Sequence, residues 1–306
     1  MRHKAWRWIG ATVAVAVLML VVERALHYSA QIPISWQQVS APSLAAAFLM
    51  LALAQCVFAT SWHRLLVDQG AGGTAWRHFS RWCVAIAGKY LPGKVWHGVA
   101  RVGLYGDAQA RAIVAPAFLR ELLLGMSAAM AMVALLGWRE PGAPAMLAPW
   151  AAVAALALLM AATPALGRRL ALLVRKFSSL ALPGSGGSLR GLLLAWALQW
   201  VGYALLGLGL ILLAHGLMRV PFALTLPVTA AFCFAGVAGI VAFFAPSGIG
   251  VREAALAWYL APYIGPGPAA LFAIAARLWL TVGDLLLISM GMWLMRRETG
   301  ERSGSS

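Results

Sequence analysis

GKYLPGKVWHG, residues 88–98, breaks an apolar run over 82–100 with a proline and three glycines, and FFAPSGIGVREAALAWYLAPYI, residues 243–264, carries a similar break. Proline removes a backbone donor and glycine weakens a helix interior, so neither stretch reads as an ordinary spanning helix. Their setting gives them meaning. Around them lie seven apolar runs, at 8–22, 44–62, 112–138, 143–166, 192–214, 220–245 and 269–295, separated by short charged joints. A bilayer core about 30 Å thick needs roughly 20 apolar residues per helical crossing. With 62% hydrophobic and 11% charged residues, the chain is expected to be an all-α integral membrane protein, a single membrane domain over 1–306 with no soluble domain.

The charge distribution orients those crossings. Lys and Arg in short loops favour the cytoplasm. Three precede the first apolar run, seven lie in 63–111, five in 167–190 and three after Met295, whereas the other joints hold only Arg24, Arg139 and Arg219. That asymmetry is consistent only if the 82–100 element enters and leaves on one side, which predicts a re-entrant element near Pro92. The 243–264 region must then supply a crossing, with an unwound segment near Pro246. About eight transmembrane helices with both termini cytoplasmic are expected. The first apolar run follows Arg2, Lys4 and Arg7, but Tyr28 stands where signal cleavage after Ala30 would want a small residue, so the run reads as an uncleaved anchor. The flexible stretch 182–188, LPGSGGS, divides the chain into possible halves, 1–181 and 189–306, each with one Pro-interrupted element.

A net charge of +15 could suggest nucleic acid, but basic residues placed in membrane joints are a topology signal, and no nucleic-acid partner is expected. Cys56, Cys83 and Cys233 read as packing residues. The six histidines have no ligand spacing, so neither metal nor cofactor is expected. There is no Gly-x-Ser-x-Gly elbow and no nucleotide-binding glycine motif, and the nine acidic residues are dispersed. No catalytic constellation emerges, so the chain does not read as an enzyme. Tryptophans at run ends, Trp8, Trp62, Trp82, Trp138, Trp150 and Trp293, fit interfacial belts.

Charges at membrane depth cost about 2.5 to 3.5 kcal/mol each on insertion scales, so they need partners or water. Arg120 and Glu121 lie within one apolar run, Arg252 and Glu253 follow the PSGIG break, and Arg277 and Asp284 lie two turns apart on one helix face. Neighbours in sequence point about 100° apart on a helix, so an Arg-Glu dipeptide does not neutralise itself. A crossed pairing, Arg120 with Glu253 and Glu121 with Arg252, would satisfy all four; ion pairs that only hold helices together are the alternative. A helix starting near Val251 would aim free amides at Pro246, Ser247, Gly248 and Gly250, a setting that suits an anion such as a lipid phosphate, with Arg252 in its first turn. Lys89, Lys94 and Arg101 form a similar basic group around Pro92 and Gly93. The alternative for the lysines is snorkelling to headgroups.

KYLPGKVW with Arg101 after it, the internal Arg-Glu, APSGIGVREAAL and the late Arg in AARLWLTVGDLL together resemble the lysylphosphatidylglycerol synthase transmembrane region, or flippase-like domain, over roughly residues 8–295. PSGIGVRE is the most specific piece. The resemblance implies a bacterial inner-membrane protein that handles lipids, with Pro92, Gly93, Lys94, Pro246, Gly248, Gly250, Arg252 and Glu253 at a translocation site. The partner it implies is a membrane lipid with a phosphate headgroup. The soluble aminoacyl-transferase domain of bifunctional members is absent, so lysyl-lipid synthesis is not implied.

Three expectations follow: a flippase-like lipid transporter, a membrane subunit of an aminoacyl- or glycosyltransferase system with a separately encoded enzyme as partner, or a scaffold recruiting partners through basic loops. The topology has a direct check. In intact cells, a Ser178→Cys variant should be protected from a membrane-impermeant thiol reagent, and rapid labelling there would invert the orientation.

Overall fold

The computed structural model describes residues 39–90, 95–106, 108–138, 143–163, 187–242 and 248–303, and every regular element among them is helical. In chain order the helices are α1 Ala41–Asp68, α2 Ala75–Ala85, α3 Val95–Gly103, α4 Ala108–Gly137, α5 Ala143–Ala162, α6 Leu189–Met218, α7 Thr225–Val241, α8 Val251–Ile264 and α9 Pro266–Ser303. Six of these, α1, α4, α5, α6, α7 with the turn before it, and α9, are long and apolar enough to cross a bilayer. They match six of the seven apolar runs. The seventh, 8–22, lies outside the described residues, as do most of the 167–190 joint and residues 182–186 of the linker. Among the described residues six helices have the length and hydropathy of a crossing, against the eight expected. The helical part of the 243–264 region, α8, has 14 residues, about 21 Å at 1.5 Å per residue and short of a crossing by itself.

Helix ends follow their local chemistry. Ser40 caps α1, Thr74 caps α2 and Ser188 caps α6, each hydroxyl accepting from a backbone amide three residues on. α6 ends at Arg219 in the left-handed region, two residues before Pro221. α1 and α6 pack antiparallel along most of their length, with Gly202 against Phe58 and Gly216 against Leu44. Between them Gln199 donates to the Ser61 hydroxyl, which donates to the Ala195 carbonyl. Small residues and buried hydroxyls of this kind bring membrane helices close where water supplies no driving force.

The first interrupted element is a helical hairpin. α2 continues as a 3-10 segment, Ile86–Tyr90, and α3 returns beside it. Gly88 makes the turn-back possible, because a Cβ there would stand 2.6 Å from the Trp96 carbonyl oxygen and 2.9 Å from His97 Cα. At the hairpin base Arg81 Nε donates to the Leu104 carbonyl at 3.0 Å, so the segment enters and leaves at the same end of the bundle. That end also holds the C-terminal part of α9. Glu298 accepts from Ser80 and Arg81 at 3.3 Å each, while the hairpin tip meets α9 at Asp284, 14 residues or about 21 Å further along. Asp68 at the end of α1 accepts from the Ser188 amide and hydroxyl, both at 2.7 Å, which brings the start of α6 to the same end.

The second interrupted element turns at Gly248 and Gly250, with φ of 68° and 85°, conformations open to glycine and strained for other residues. Gly248 lies against the backbone of Gly239 in α7. Residues 243–247 lie outside the described residues.

The Gly88 contact predicts a measurable loss. Gly88→Ala should cost about 1–3 kcal/mol through overpacking against backbone that has nowhere to move, lowering the thermal midpoint in detergent. Gly236→Ala, where the added methyl meets nothing within 4 Å, should leave it unchanged or higher.

Candidate functional site

The two interrupted elements meet at α9. Arg277 and Asp284 lie on one face of that helix and are the charged residues of its apolar stretch, 266–295. Asp284 is buried and is engaged by the hairpin tip: it accepts from the Tyr90 hydroxyl at 2.5 Å and pairs with Lys89. Arg277 Nη1 lies 3.5 Å from Glu253 Oε1 of α8. One helix face thus holds both breaks.

Glu253 does more than pair with Arg277. Its Oε2 accepts from the Gly250 amide at 2.7 Å, closing the first turn of α8 upon itself. The open helix terminus expected of the PSGIG break is therefore partly filled by the chain's own carboxylate. Arg252, one residue earlier, is held differently. Its guanidinium stacks over the Phe232 ring of α7 at 4.6 Å, and among the described residues it makes no ion pair. Cation–π contacts of this kind are worth about 0.5–2 kcal/mol and leave the guanidinium edges available. A cavity of about 10 Å³ is lined by Arg252, Glu253, Arg277, Phe232 and Leu280. That space holds a water at most. A larger cleft of about 860 Å³ runs between α4, α5 and α6, but its lining is Ala, Leu, Pro and Trp, with the charged cluster elsewhere.

The crossed pairing of the two Arg-Glu dipeptides is not the observed arrangement. Glu121 accepts from Arg101 at 2.8 Å, Glu253 faces Arg277, and Arg120 lies beside Gly187 and Asp68 at the start of α6. The 100° between helical neighbours separates Arg120 from Glu121, as expected, and Glu121 meets Arg101 rather than Arg252. Arg101 belongs to a structural node rather than to the cluster at α9. Its guanidinium sits over Trp62 at 4.3 Å and Trp82 at 5.5 Å, and the Trp82 indole donates to Glu121 at 3.1 Å. Trp62 and Trp82 are thus buried packing groups, not members of an interfacial belt; Trp138, Trp150 and Trp293 are exposed, as a belt requires, and Trp8 lies outside the described residues.

Of the residues expected at the site, Lys89, Gly248, Gly250, Arg252, Glu253, Arg277 and Asp284 come together. Arg101, Arg120 and Glu121 lie apart from them. Pro92, Gly93, Lys94, Pro246 and Ser247 lie outside the described residues. Tyr90 and Phe232 escaped the sequence reading. Tyr90 had a signal in its adjacency to Lys89, whereas Phe232 is an ordinary apolar residue until α8 brings Arg252 over it.

The sequence matches no family model and no curated protein. The described helices define an all-α, multi-pass type of membrane protein, with a charged cluster where two interrupted elements meet.

The aromatic box predicts a characteristic stability pattern. Arg101→Met should cost about 3–5 kcal/mol, because it leaves Glu121 charged and unpaired in an apolar setting. The double variant Arg101→Met/Glu121→Leu should recover much of that loss, read as thermal midpoints in detergent. A double variant no more stable than the single one would mean that packing, not charge, dominates.

Proposed function

We propose that this chain is a flippase-like lipid transporter of the bacterial inner membrane, moving an anionic or phosphate-linked lipid or glycolipid between leaflets. The observation that carries the reading is the convergence of two interrupted elements on one face of α9. Paired interrupted segments whose helix ends and side chains meet inside the membrane are the common plan of transporter binding sites. Charged residues at that depth are costly and point to a pathway for something polar. Arg252 fits an anion because its planar, two-pronged guanidinium suits a phosphate and the Phe232 ring holds it in place. The resemblance to the lysylphosphatidylglycerol synthase transmembrane region points the same way.

In this reading α2 and α3 form a re-entrant hairpin that dips from the cytoplasmic side, and both termini are cytoplasmic. The hairpin base, the start of α6 and the end of α9 share one end of the bundle, so Arg77, Arg81, Arg190, Arg296 and Arg297 gather there, as the positive-inside preference favours.

Purified protein in liposomes with leaflet-labelled phospholipid tests the proposal. Wild type should accelerate leaflet exchange of an anionic lipid, Arg252→Ala should abolish the acceleration, and Arg252→Lys should slow it about tenfold by losing the bidentate contact, with stability lowered by no more than the ~0.5–2 kcal/mol of the Phe232 contact. Wild-type exchange rates in both variants, together with lost stability, would make Arg252 a purely structural cation. Product formation with an added synthase, without exchange, would favour the transferase-subunit alternative.

A further inference from the structure

Lys89 and Arg252 differ in how their charge is held, and the difference suggests how the site is kept closed. Arg252 rests on an aromatic ring. Lys89 is paired with Asp284, whose side chain is 3% exposed, while Lys89 itself remains 35% exposed. Tyr90, the next residue, donates to the same carboxylate. Two consecutive residues at the hairpin tip thus converge on one carboxylate. The hairpin base is anchored separately, by Arg81 and Ser80 to Glu298 and by Arg101 to Glu121. Those base contacts would survive a loss of the tip contact.

The charged surroundings of the pair are mostly basic. Arg252 of α8 and Arg277 of α9 lie within electrostatic range of Lys89, and Glu253 is occupied by Arg277 and the Gly250 amide. Asp284 therefore compensates cations that would otherwise face each other in an apolar interior.

We infer that Asp284 is an internal stand-in for the anionic headgroup: it holds Lys89 and the hairpin tip until a lipid phosphate displaces it and bridges Lys89 to Arg252. This deepens the transport reading and rests on it. A phosphodiester oxygen is an acceptor of the same charge as the carboxylate, so Lys89 is neutralised both before and after the exchange. The cost is a competition. If the tip is held closed about nine-tenths of the time, the apparent affinity for the headgroup falls about tenfold below that of the open site.

The test is a binding titration of the purified protein in detergent with short-chain phosphatidylglycerol, and with a neutral short-chain diacylglycerol glycolipid as control. Asp284→Asn should bind the anionic lipid about tenfold more tightly than wild type. Tyr90→Phe, which removes a hydrogen bond without changing any charge, should tighten binding about threefold. Binding of the neutral lipid should not change. Unchanged or weaker binding of phosphatidylglycerol by folded Asp284→Asn overturns the inference, as does equal tightening for the neutral lipid; if Asp284→Asn does not fold, Tyr90→Phe decides by the same criterion. Leaflet exchange is measured apart. Tightened binding in a protein that never exchanges lipid keeps the stand-in and removes the transporter, whereas exchange in wild type with no tightening in the variants does the reverse.

Discussion

The fold depends on where α9 places two charges. Arg277 and Asp284 are seven residues apart, so they share a helix face about 10 Å apart along the axis, and each answers a charge from a different interrupted element. An unpaired charge inside an apolar protein costs several kcal/mol. The hairpin tip can therefore settle only at the depth of Asp284, and the start of α8 only at that of Arg277. The geometry of both breaks is inherited from the pitch of one continuous helix.

Two kinds of charged node result, and their surroundings separate them. Arg101 and Glu121 are enclosed by Trp62, Trp82 and Phe118, and Arg101 is almost wholly buried. Such a node ties α1, α4 and the hairpin together and leaves no face for a ligand. The node at α9 is built otherwise: Lys89 keeps a third of its surface accessible and Arg252 rests on a ring instead of a carboxylate. The first is enclosed, and the second keeps cationic surface accessible. Glycine serves both, since Gly88 lets the hairpin arms touch and Gly248 lets the second break lie on Gly239.

Much of the architecture was legible because membrane insertion is read from local composition. Six apolar runs became six long helices, and the Gly/Pro break that marked 82–100 as unlike a spanning helix corresponds to α2 and α3, joined at their base by the Arg81–Leu104 contact. The relation of Arg277 to Asp284 was also visible, since helical periodicity alone puts them on one face. The pairing of the charges was not. Any of the buried cations could have met any carboxylate by chemistry alone, and the crossed scheme for Arg120, Glu121, Arg252 and Glu253 was as balanced electrostatically as the one observed.

What the sequence determined by itself is the solvent of each segment: which runs lie in lipid, which joints stay in water, and which two stretches do neither cleanly. Those properties sum over neighbouring residues and need no partner. Which cation meets which carboxylate, that Trp62 and Trp82 box an arginine, and that Phe232 carries Arg252 were decided only by tertiary structure. They depend on the rotation and depth of helices far apart in the chain, set by close glycine contacts and the face of α9, and no local pattern encodes those quantities.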